Sequence, residues 1–169
     1  MQLQHQSHKF QTTTFPVILL CNKVNSPANI GSLLRIADSF GIEKVVFGEV
    51  EIDKNSSRLK RTARSTQNWV VTEDNVLTLV TLKEKINAGY YPIALEITEQ
   101  SQPIDHVKLN TAQKIILVIG EENEGISDEV LDICKEHRHV TMFGKNSSMN
   151  VAQATAIALY EITKQLHTH

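Results

Sequence analysis

The chain has 169 residues, 41% hydrophobic and 21% charged, with 17 Lys+Arg against 19 Asp+Glu for a formal net charge of -2. This is the composition of one compact domain over residues 1–169, and it excludes a disordered chain, a string of modules or a protein that coats nucleic acid through bulk charge. No apolar run approaches the roughly 20 residues a membrane helix needs, and the polar start, expected to be a loose tail over residues 1–14, lacks the apolar block of a secretory signal, so a cytoplasmic protein is expected.

In chain order, Val17-Ile18-Leu19-Leu20 reads as a buried strand. Ser26-Pro27 then offers an N-cap and a first-turn proline to a helix whose Ile30, Leu33, Leu34 and Ala37 recur on one face and which Gly41 stops. Val45-Val46-Phe47 is a second strand. The stretch from Arg58 to Trp69 is polar and basic; Trp69-Val70-Val71 reads as a short strand, and Leu77 to Ile86 as a helix closed by Gly89. Tyr91 to Leu95 is the next strand. A polar connection through Pro103 leads to Ile115-Ile116-Leu117-Val118-Ile119, the most strongly β-branched run, which ends in Gly120. Asp128 to Cys134 reads as a short helix, His139 to Met142 as a last strand, and Asn150 to about Gln165 as the closing helix. Strands alternating with helices predict an α/β fold, a mainly parallel sheet with helices on both faces. In such sheets ligands sit outside the carboxyl ends of the strands, so chemistry is expected in the loops after Leu20, Leu95, Ile119 and Met142.

Cys21 and Cys134 have no partner spacing, which excludes a disulfide framework or zinc knuckle and predicts two reduced, buried thiols. His5, His8, His167 and His169 lie in the termini, where no carboxylate or cysteine completes a ligand set; solvated polar tails are expected, and no metal.

Three loops carry candidate chemistry. In the first, Asn29 and Arg35 are six residues apart on one helix, about 240° around it, so they do not share a face. On spacing alone Asn29 satisfies helix-end groups and Arg35 is a surface residue. In the second, Gly120 ends a strand where a ligand could approach the backbone, Gly125 suits a positive-φ turn, and Glu121, Glu122 and Glu124 repel one another and call for a cation or solvent. Read alone, this is also a solvated acidic turn ahead of a helix N-terminus. In the third, Gly144-Lys145 fails as a phosphate loop, because the first glycine would stand at His139 and the Ser/Thr at Asn146. What remains is a helix N-terminus preceded by Ser147, Ser148 and Asn150, suited to a carboxylate or phosphate. A fourth stretch, Arg58, Lys60, Arg61 and Arg64 followed by Trp69, is the densest positive charge and the candidate phosphate-contacting patch, although a charge run alone reads as a solvated face. No glycine stands between Asn22 and Asn29, which excludes a dinucleotide fingerprint after the first strand.

Together, Asn29-x-x-x-x-x-Arg35, Gly120-x-Glu122-x-x-Gly125 and Ser148-Met149-Asn150-Val151, in this order at strand ends, resemble the three motifs of the SpoU (TrmH-like) RNA 2'-O-ribose methyltransferases of the SPOUT superfamily. The resemblance covers Val17 to Leu166 and includes no ancillary RNA-binding domain. It implies a C-terminal trefoil knot, a homodimer, and methyl transfer from S-adenosylmethionine to a ribose 2'-hydroxyl, leaving S-adenosylhomocysteine. The implied substrate is RNA, tRNA in preference to rRNA; a non-catalytic RNA-binding factor of the same fold is the rival reading. By motif position, Arg35, Asn29, Glu122, Ser148 and Asn150 would carry catalysis, while Leu95, Gly120, Val140, Met142 and Met149 would form the cofactor pocket. An arginine is a poor general base, so Arg35 would either be shaped by an RNA phosphate or would orient the hydroxyl and stabilise the developing alkoxide. The chain departs from the family pattern in two places: Arg64-Ser65-Thr66 replaces a small, Gly-containing stretch, and Met149 stands where Leu is usual. The second change is nearly volume-neutral.

Overall fold

The computed structural model describes residues 11–167. The first half runs β1 (Phe15–Asn22), α1 (Pro27–Ser39), β2 (Ile42–Gly48), α2 (Ser57–Ala63), β3 (Thr72–Val76) and α3 (Thr78–Asn87). The second runs β4 (Tyr90–Leu95), β5 (Gln102–Pro103), β6 (Lys114–Gly120), α4 (Asp128–Leu131), β7 (Glu136–His139) and α5 (Val151–Leu166). The strands form one seven-stranded sheet in the order β3-β2-β1-β6-β4-β7-β5, with every named pairing parallel.

The two most apolar runs take the centre. β1 and β6 lie side by side with Leu19 beside Leu117 and Asn22 beside Gly120, and Val17 to Cys21 and Ile115 to Ile119 are fully buried. A strand covered on both faces needs no polar alternation, which is why these runs contain none. Alternate residues feed two cores. Val17, Leu19 and Cys21 pack with Leu33 and Leu34 of α1, Leu59 of α2 and Leu159 and Ile162 of α5. Ile18 and Leu20 pack on the other face with Leu82 of α3 and Val130 of α4. The expected parallel sheet with helices on both faces is the one observed.

α1 begins where the sequence placed it, but the Ser26 side chain makes no capping bond; Pro27 alone pre-sets the first turn, and Gly41 (φ 58°) ends the run. α2 crosses close to α1 at Gly31, where a Cβ would overlap Thr62 Oγ1 and the Leu59 carbonyl.

Three expected elements shift their bounds, and two further short elements form. The basic stretch forms α2 and a tight turn at Thr66–Asn68, and the strand expected at Trp69–Val71 begins three residues later as β3. β3 is a sheet edge open to solvent, so it need not be apolar, and Trp69 instead folds back to donate its indole N–H to Asp38 on α1 (2.7 Å). The last strand is Glu136–His139 rather than His139–Met142, because Arg138, inside the strand, is neutralised by Glu136 through a 2.7 Å bond from its Nε, and Val140 and Met142 are left to a loop. α4 stops at Leu131 instead of Cys134, and the two-residue β5, which Pro103 tolerates at an edge, had no signal in the sequence.

Cys21 and Cys134 are free, and burial pushes the Cys134 thiol up to about 12 and the Cys21 thiol up as well. Residues 11–14 are exposed and carry no regular structure, whereas His5, His8 and His169 lie outside the described residues. His167, expected in a solvated tail, is exposed but sets its ring edge-on to Phe15 with centroids 6.2 Å apart. Among the described residues no helix is long and apolar enough to cross a membrane.

Candidate active site

The carboxyl ends of β4 and β6, the segment after β7 and the start of α5 enclose a pocket of about 700 Å³. Leu95, Gly120, Val140, Met142 and Met149 all line it, as do Glu122, Ser148 and Asn150. The volume is that of a nucleotide-sized ligand site, and its lining mixes apolar side chains with polar and charged groups.

The first and third motifs meet through one hydrogen bond. Asn150 holds the N-cap of α5, where its Oδ1 accepts from the amides of Ala152 (3.0 Å) and Gln153 (3.3 Å). Its Nδ2 donates to Asn29 Oδ1 at 3.1 Å, so Asn29 braces another helix rather than satisfying the end of its own. Arg35 is not brought into the pocket. It stands about 9 Å further along the axis of α1, exposed, with no side-chain bond among the described residues. Arg58, Lys60, Arg61 and Arg64 are all exposed on and just after α2.

The acidic loop is shaped from inside. Glu121 accepts the Gly125 amide at its carbonyl (3.1 Å) and the Glu124 amide at Oε1 (2.6 Å), which leaves Glu122 and Glu124 exposed. A Cβ on Gly120 would overlap the backbone of Gly125 and Ile126: the space the glycine frees is taken by the returning loop and not by a ligand. Ser127 stands at the N-cap of α4 without a side-chain cap bond, and Asp128 and Glu129 occupy the helix's first turn.

Several residues in or beside the pocket had no motif. Glu96, directly after β4, accepts from the amides of Ile97 (2.9 Å) and Ile126 (3.1 Å), locking one pocket wall to another. Asn22 accepts the Ser127 amide at Oδ1 (3.0 Å), while its Nδ2 donates to Thr78 Oγ1 (3.3 Å) and Glu49 (3.4 Å). His139 lines the pocket with Nδ1 2.9 Å from Ser101 Oγ, and Phe143 on the neighbouring loop is 96% exposed. The strand-end rule pointed at Asn22 and Glu96 by position, but nothing in their types separated them from ordinary loop residues, and His139 was expected at the start of a strand rather than at its carboxyl end. No group of three or more metal-ligating side chains gathers among the described residues.

A parallel sheet with a nucleotide-sized pocket beyond its strand ends is the arrangement in which α/β domains hold their ligands. Residues 16–160 match the SpoU rRNA Methylase family, and the chain belongs to that family. It is 28% identical over 170 residues to the tRNA (guanosine(18)-2'-O)-methyltransferase of Saccharomyces cerevisiae, covering 98% of this chain and 12% of that protein. The TrmH/SpoU tRNA modifying enzyme of A. aeolicus superposes with a TM-score of 0.78 at 25% identity, over 93% of this chain and 77% of that one. The AdoMet-bound rRNA methyltransferase of Sinorhizobium meliloti shares the fold, with a TM-score of 0.82 at 19% identity over 94% and 60% of the two chains. The first curated relatives are longer proteins, of which this chain spans 12% to 64%.

Proposed function

We propose that this chain transfers a methyl group from S-adenosylmethionine to a ribose 2'-hydroxyl of RNA, with tRNA preferred and rRNA the alternative. The observation that carries the reading is that the second and third motifs, distant in sequence, line one pocket, and that Asn29 of the first is tied to its edge by the bond to Asn150. The yeast and A. aeolicus relatives, both named for tRNA, support that preference. The C-terminal trefoil knot, the homodimer, the single domain over residues 1–169 and the cytoplasmic setting belong to the same proposal.

The pocket fits the cofactor chemically. Leu95, Val140, Met142 and Met149 provide an apolar cover for a purine, and the exposed carboxylate of Glu122 offers a cation its partner. When bound, S-adenosylmethionine supplies an electrophilic methyl on a sulfonium and leaves as S-adenosylhomocysteine. The chain's part is to hold the acceptor. Ser148 and Asn150 at the start of α5 position the ribose or its phosphate, Arg58, Lys60, Arg61 and Arg64 meet the RNA backbone, and Arg35 orients the hydroxyl and stabilises the charge it develops. Because Arg35 stands outside the pocket, RNA or a second subunit must complete the site around it.

The test is Arg35→Ala. Transfer should fall by about 100-fold or more, the scale of losing one transition-state donor, while S-adenosylmethionine affinity stays within about twofold of wild type. Unchanged turnover would overturn the assignment. Cofactor binding without transfer to any RNA fraction would favour the non-catalytic factor.

A further inference from the structure

Two histidines on β7 are held by hydroxyl groups of the loop after β4, in opposite senses. His137 Nε2 lies 3.1 Å from the Leu131 carbonyl oxygen, which only accepts, so that nitrogen carries the hydrogen, and Nδ1 accepts from Thr98 Oγ1 at 3.1 Å. His139 differs. Its Nδ1 lies 2.9 Å from Ser101 Oγ, whose one hydrogen goes to the Thr98 carbonyl (2.9 Å) while a lone pair accepts the Thr98 amide (3.1 Å). With that hydrogen engaged, Ser101 is left to accept from His139, and the neutral tautomer that fits this arrangement carries its hydrogen on Nδ1. Nε2 is left as a bare acceptor to which no described residue donates, on a half-buried side chain that borders the pocket.

We propose that His139 Nε2 accepts a hydrogen bond from S-adenosylmethionine in this pocket, and that Ser101 is the positioning residue that fixes the tautomer; the inference rests on the cofactor reading above. The cofactor offers three kinds of donor: an adenine amine, ribose hydroxyls and an ammonium. A neutral imidazole suits the uncharged donors, whereas the ammonium is better met by a carboxylate. A half-buried acceptor that borders a pocket and has no protein donor is one whose solvent partner a bound ligand's donor can replace.

The experiment titrates S-adenosylmethionine calorimetrically into wild type, His139→Asn, His139→Gln and Ser101→Ala, and reads the histidine tautomers by nitrogen NMR. Asparagine keeps a donor toward Ser101 but has nothing at the Nε2 position; glutamine reaches that position. His139→Asn should weaken binding about tenfold with an unchanged melting temperature, and His139→Gln should restore it to within about threefold. NMR should place the hydrogen on Nδ1 of His139 and on Nε2 of His137, with His139 alone shifting in Ser101→Ala. Binding by His139→Asn within twofold of wild type, or a hydrogen on His139 Nε2, would overturn the proposal while leaving the cofactor reading in place. A wild-type protein that binds no S-adenosylmethionine would overturn both.

Discussion

Asn150 has two separable duties. Its Oδ1 caps α5 and its Nδ2 reaches Asn29, so Asn150→Asp keeps the cap, with a charge the helix dipole favours, and loses only the donor. Asn150→Asp should therefore retain its melting temperature and lose methyl transfer, whereas Asn150→Ala should lose about 1 kcal/mol of stability as well, roughly 2–4 °C in a domain of this size. Equal melting temperatures for the two variants would show that the cap is not formed. A second residue-scale prediction comes from the departure at Arg64-Ser65. Both adopt left-handed backbone, with φ of 52° and 79°, which explains why a Gly-containing stretch is usual there. Ser65→Gly should raise stability by up to about 1 kcal/mol, since relief of the left-handed strain outweighs the added freedom of the unfolded chain; a lower melting temperature would contradict this. What was legible at this scale was the motif residue. Glu96 and Asn22 were not, because their decisive partners are backbone amides 30 and 105 positions away, and an amide has no side-chain signature.

Among the elements, those with a covered environment were read correctly and those at edges were not. β1 and β6 are flanked on all sides, so apolar content alone places them; β3 and β7 are polar strands at or near sheet edges, held by pairing and by the Glu136–Arg138 ion pair. Trp69-Val70-Val71 has stronger strand composition than Thr72–Val76, yet the indole bond to Asp38 draws it out of the sheet. Loop shape is an element-scale property too. Since a Cβ at Gly120 would overlap the backbone of Gly125 and Ile126, Gly120→Ala should open the acidic loop. We expect S-adenosylmethionine binding to become undetectable while far-ultraviolet circular dichroism changes little, the strands being anchored elsewhere. Wild-type affinity in this variant would mean that the loop does not shape the pocket.

At the scale of the whole molecule, the alternating core of β1 and β6 makes the layered fold legible, and the site follows from it because every strand runs the same way and all carboxyl ends share one edge. The opposite edge carries a pH dependence. Burial and the Glu43 carboxylate, which accepts the Tyr90 hydroxyl at 2.5 Å, push the Tyr90 phenol from 10.0 up to about 12, and Tyr91 is raised by burial and by Glu136. A raised acid stabilises the fold fully below its ordinary value and loses that contribution as pH climbs to the folded value. Urea midpoints should therefore decline between about pH 10 and 12, with less decline in Tyr90→Phe; equal slopes would remove the Glu43–Tyr90 contact from the stability of the fold.

One measurement bears on the function as a whole: incubation of the chain with methyl-labelled S-adenosylmethionine and unmodified tRNA, followed by complete digestion to nucleosides. The pocket and its motifs require the label to appear in 2'-O-methylated nucleosides and to disappear with Arg35→Ala. Label in a base, or label that survives that substitution, would contradict ribose methylation by this site.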